Sequence, residues 1–174
     1  MISAMNERNE TQANTLCKSC GLCCTGHLFI WTKLRSAELE PIEALGVKVF
    51  RSVPNQRGFN QPCPLWQGQC TIYASPSYPR FCQTYKCKLL KQLLDGTASL
   101  HEALHLVEQT KGAIQELDAL LPDSTKSNFR ERLVTQLETA ETVEMDFRRK
   151  ATELLTLYDK VFGVSEVVEP PTSP

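Results

Sequence analysis

The chain lacks any apolar run approaching the roughly 18 residues that a membrane span needs. Residues 1–14 are polar, with Glu7, Arg8 and Glu10 where a secretory leader would carry an apolar segment. These absences point to a cytoplasmic protein with no membrane partner. No phosphate loop or dinucleotide fingerprint occurs, so nucleotide-dependent chemistry has no support. Asp is missing from residues 1–90, and Cys is missing after Cys87. The 174 residues are 41% hydrophobic and 22% charged, which excludes a disordered polymer and fits one domain or a compact module with an appendage.

What is present is unevenly distributed. Residues 1–90 hold ten Lys and Arg against five acids, a surplus of +5, while residues 91–174 hold nine against fifteen, a balance of −6. All eight cysteines and nine of the thirteen aromatic residues lie in the basic half. The basic residues are interspersed, which suits neutralisation of buried thiolates better than a nucleic-acid surface.

The spacing predicts strands near Leu28–Trp31 and Lys48–Val53, a helix within Ser36–Leu45 stopped by Gly46, and loops at Pro54–Pro64 and Ala74–Pro79. After Cys87 the period becomes helical. Leu89, Leu90, Leu93 and Leu94 form a stripe ending at Asp95-Gly96. Ser99 and Glu102 form a capping box opening a helix that runs to Pro122, and Asn128 with Glu131 opens a third that runs to Gly163. The expected fold is therefore mainly α. It comprises a flexible arm at 1–14 and a small irregular, cysteine-rich, metal-centred module with short helices or strands at 15–96. An antiparallel helical hairpin follows at 97–162, then a disordered tail at 163–174. The apolar stripes of the hairpin call for a partner, either the basic half or a second copy in a homodimer.

Eight cysteines could make four disulfides, but reduced cytoplasmic thiols favour metal binding. Cys17, Cys20, Cys23 and Cys24 form a C-x-x-C-x-x-C-C run in which Gly21 permits a tight turn. Three thiolates two residues apart can converge on one centre, whereas the neighbours Cys23 and Cys24 diverge, so one of them faces a second centre or ligates nothing. Cys63, Cys70, Cys82 and Cys87 can complete either centre, and eight thiolates suit two four-coordinate sites. The run followed by remote Cys63-Pro64 resembles iron–sulfur ligation, while Cys82-x₄-Cys87 resembles half a zinc site. An iron–sulfur cluster and Zn²⁺ are both compatible cofactors.

These pieces resemble the YkgJ-like cysteine-cluster proteins, the CxxCxxCC family of zinc- or iron-chelating domains. The resemblance rests on Cys17–Cys24, on Cys63-Pro64-Leu65, on Gly68-Gln69-Cys70-Thr71-Ile72-Tyr73, and on the closing pair Cys82 and Cys87. It implies a chelating centre of zinc or iron, often described as iron–sulfur, and some larger members are flagellin lysine methylases. The chain departs from the family pattern before Cys82: the segment is two residues longer, Pro79 is kept, and Tyr78 and Gln83 stand where the family has arginines, leaving Arg80.

Two further readings concern enzymes. An iron–sulfur oxidoreductase or protein-modifying enzyme would use the same cysteines, with the polar loop Pro54–Pro62 bordering a cleft. His101-Glu102-Ala103-Leu104-His105 matches the H-E-x-x-H of zinc metallopeptidases, but both histidines flank the apolar stripe and Glu102 already serves the cap. Trp31, Trp66, Tyr73, Phe81 and Tyr85 read as an apolar wall around the thiolates, and His27 as a neighbour rather than a ligand.

Overall fold

A computed structural model describes residues 2–53, 56–122, 128–139 and 144–164. The fold is mainly α, with one small three-stranded antiparallel sheet. The chain divides into two compact units: a helical unit of Met1–Cys20 and Lys86–Glu166, and a cysteine-rich unit built on Gly21–Tyr85.

In the helical unit, α1 spans Ile2–Cys20, α4 Lys88–Asp95, α5 Leu100–Asp118, α6 Phe129–Thr139 and α7 Met145–Leu157, with a π-turn at Tyr158–Phe162. Residues 2–14 of the stretch expected as a flexible arm thus lie in α1. Residues 1–20 contain neither Gly nor Pro, so nothing in them breaks a helix that tertiary contacts can hold. α1 packs on α4 and α5, α5 packs on α7, and α4 meets the π-turn. The expected caps are in place. Ser99 Oγ accepts from the Glu102 amide, Glu102 Oε2 accepts from the Ser99 amide at 2.8 Å, and Gly96 closes α4.

The single third helix expected from Asn128 to Gly163 is instead two, α6 and α7. Asn128 Oδ1 caps α6, and α7 starts afresh after Glu144. Residues 140–143 and the tail from 165 onward lie outside the described residues. The stripes that called for a partner are covered within this chain: Val107, Leu117, Leu133, Ala151, Leu154 and Tyr158 are fully buried.

In the cysteine-rich unit, β1 is Trp31–Lys33, β2 Val49–Val53 and β3 Gln56–Asn60, in the order β1-β3-β2. A 3₁₀ turn at Ser36–Glu38 leads into α2, Leu39–Ala44, and α3 spans Arg80–Thr84. The Pro54–Pro64 stretch, read as a loop, contains the central strand. Its polar residues concealed Phe59, which is buried against Leu34, Leu39, Ile42 and Val47. Gly58 is demanded by the sheet itself, because a Cβ there would collide with the carbonyl oxygen of Thr32 across the β1–β3 pair.

Candidate metal centre

The C-x-x-C-x-x-C-C run straddles the boundary between the units. Cys17 and Cys20 occupy the last turn of α1, spaced three residues apart on one helix face. Gly21 then takes φ +69, a turn that an L side chain would strain, and a Cβ there would run into the Trp66 indole. Cys23 and Cys24 lie in the turns that follow. All eight cysteines are thiols, none of them in a disulfide.

Five cysteines belong to the cysteine-rich unit. The Cys63 amide donates to the Cys24 carbonyl at 2.7 Å, tying those two positions together. Cys70 returns beside Cys63 through a tight loop in which Trp66 and Cys70 form an antiparallel bridge and Gly68 takes φ +77. Cys82 sits in α3, whose first amide, that of Arg80, donates to Glu38 Oε1 at 2.7 Å. The other oxygen of Glu38 accepts from the Arg35 amide at 2.7 Å. Glu38 thereby fixes the start of α3 to the 3₁₀ turn. Tyr78 lies alongside, its hydroxyl donating to the Cys82 carbonyl at 3.3 Å and its ring 5.1 Å from that of Tyr73. Phe29, Phe81 and Tyr85 form a triangle of rings with centroids 4.6 to 5.6 Å apart, an apolar wall beside α3.

Electrostatics groups the same thiols. Burial pushes the Cys82 thiol well above its ordinary pKa, and negative charge on Cys24, Cys63, Cys70 and Glu38 pushes it further. Cys63 is also raised by burial and by Cys70, although the backbone amides of Leu65 and Trp66 hydrogen-bond its sulfur and pull the other way. Tyr78 is raised by burial and by Cys82, Cys70, Tyr73 and Cys24. Cys82 and Cys63 thus share a neighbourhood with Cys24 and Cys70, and negative charge on either of the first two is penalised unless a cation offsets it.

The other group belongs to the helical unit. Cys87 is the N-cap of α4, its sulfur accepting from the Leu90 amide at 3.4 Å, and burial raises its pKa despite that bond. Cys17, exposed as a residue, has its thiol pushed up to about 11 by desolvation, with the Cys87 charge adding to the rise. Cys20 shares this unit. Among the described residues, no three His, Cys, Asp or Glu side chains converge closely enough to hold a metal ion, so the cysteines are neighbours rather than a closed coordination shell.

The donor set still fits zinc or iron and does not fit calcium or magnesium. The soft sulfur donors are clustered, and amide N–H groups aimed at Cys63 and Cys87 are the contacts a thiolate takes up. The H-E-x-x-H stretch makes no comparable group: His101 and His105 are exposed on α5, and Glu102 is engaged with Ser99. Glu38 was not legible as a site residue, because nothing local marks an acid whose two oxygens bridge the distant backbone amides of Arg35 and Arg80. Tyr78 is marked in the sequence by the departure from the family pattern, and Trp66 by its place among the aromatic residues near the cysteines.

A cysteine-cluster chelating module is the class this arrangement defines. The model of the family CxxCxxCC, "Putative zinc- or iron-chelating domain", matches residues 16–111, more than half of the chain, and the chain belongs to that family. The YkgJ-like subfamily name is consistent with it. The match extends past Cys87 into α5. No curated protein and no solved structure matches the chain. No helix among the described residues is long and apolar enough to cross a membrane.

Proposed function

We propose that the chain binds zinc or an iron–sulfur cluster through its cysteines, with Cys24, Cys63, Cys70 and Cys82 holding one centre. Cys17, Cys20 and Cys87 form a separate group in the helical unit, and Cys23 is a ligand by its place in the motif alone. The penalty that desolvation and the neighbouring thiols put on negative charge at Cys82 and Cys63 carries this reading, because a cation bound among these half-buried sulfurs would offset it. Four thiolate corners make a closed centre, suited to structural support or electron transfer rather than to substrate binding at the metal.

The test is anaerobic purification followed by metal and acid-labile sulfide analysis of the wild type, Cys82→Ser and Cys17→Ser. Zinc alone or iron with sulfide identifies the cofactor. The assignment expects Cys82→Ser to lose the metal of the four-thiol centre while Cys17→Ser keeps it. Equal loss in both variants overturns the division. A wild-type chain that folds cooperatively with neither metal nor sulfide overturns the function.

A further inference from the structure

Away from the cysteines, the helical unit buries a cation. Arg130, the second residue of α6, is 2% exposed. Its Nη2 donates to the Val164 carbonyl at 3.5 Å, and its guanidinium carbon lies 5.1 Å from the centre of the Tyr158 ring. Among the described residues, Nε and Nη1 are buried with no hydrogen-bond partner. Among the described residues Arg130 forms no ion pair, whereas Arg132 on the same helix pairs with Asp118. A guanidinium does not shed its proton under working conditions, even where burial lowers its pKa as it does here. An aromatic face compensates a buried cation only in part. The Tyr158 phenol, itself buried and raised in pKa, is neutral and supplies no counter-charge. A buried charge with orphaned donors and no counter-charge among the described residues is strongly unfavourable, and an anion beside it would remove that cost.

We propose that Arg130 anchors an oxyanion site in the helical unit that takes a carboxylate. One guanidinium lying over an aromatic face matches a single negative charge, and the first turn of α6 adds the positive end of its dipole. A doubly charged phosphate would leave one charge uncompensated in the same apolar surroundings. The carboxylate has two possible sources, a free solute or the acids that follow Val164 in the chain, Glu166 and Glu169.

Full-length protein in buffer free of carboxylate and phosphate is titrated with sodium acetate against sodium chloride at equal ionic strength. The Nε–H resonance of Arg130, assigned through bonds, and the thermal midpoint are followed. With a free source, acetate shifts the resonance saturably and raises the midpoint by about 3 °C at about 100 mM. Arg130→Met then shows no acetate-specific rise. With the chain's own acids as source, the wild type is indifferent to acetate, the Glu166→Gln/Glu169→Gln variant melts about 3 °C lower, and acetate restores it. A wild type indifferent to acetate, together with a double variant unchanged in resonance and midpoint, overturns the proposal. Both decisive measurements use folded protein that retains Arg130, so failure of Arg130→Met to fold does not obscure the result.

Discussion

At the scale of residues, the cysteine-rich unit depends on contacts that a composition cannot announce. Glu38 is one of three acids between Gly21 and Tyr85, yet its two oxygens clamp the 3₁₀ turn to the start of α3 and so place Cys82. Gly58 reads as a loop glycine and is in fact the point where two strands approach too closely for a side chain. Gly58→Ala is expected to destabilise this unit by about 1–3 kcal/mol through overpacking. A lowered urea midpoint followed by tryptophan fluorescence would show it, since Trp31 and Trp66, the protein's two tryptophans, both lie in this unit. An unchanged midpoint would mean that β1 and β3 can part at Gly58 without cost.

At the scale of elements, local signals and packing divide the work. α5 carries its own start signal, the reciprocal Ser99 and Glu102 bonds, and buries Ala103, Val107, Ile114 and Leu117 on one face. Ser99→Ala should cost about 1 kcal/mol. For a chain of this size that is a fall in helical melting temperature of about 2–4 °C by circular dichroism, with metal content unchanged. α1 has no comparable signal: its mean sequence character is polar, and its helicity follows from packing of the Leu16 region on α4 and α5. The exposed pairs Arg149–Asp146 and Arg149–Glu153 on α7 add little, as solvent-facing ion pairs do.

At the scale of the whole molecule, the two units differ in what can hold them together. The helical unit buries many large apolar side chains, among them Leu89, Leu93, Leu117, Leu133, Leu154 and Phe162. The cysteine-rich unit has a small buried cluster of Leu34, Leu39, Ile42, Val47 and Phe59, with Cys63, Leu65 and Ile72 packed at its edge. A unit so short, with so small a core, needs a further staple, and the four-thiol centre proposed above would supply one. Chelation of the metal under reducing conditions should therefore change the tryptophan fluorescence cooperatively while most of the far-ultraviolet helical signal persists. Parallel loss of both signals would show that the helical unit also depends on the metal.

The sequence by itself determined the class of the fold, the caps at Ser99 and Asn128, the ends at Gly46, Gly96 and Gly163, and the chelating family, because each rests on a local pattern a few residues long. Tertiary structure decided how the cysteines are distributed between the two units. The C-x-x-C-x-x-C-C run reads as one loop, but a helix held by α4 and α5 carries Cys17 and Cys20 into the helical unit, and the turn at Gly21 leaves Cys24 with Cys63, Cys70 and Cys82. Spacing fixes which thiols can share a face of one element. Which of them meet across the fold depends on long-range packing, which no local spacing records.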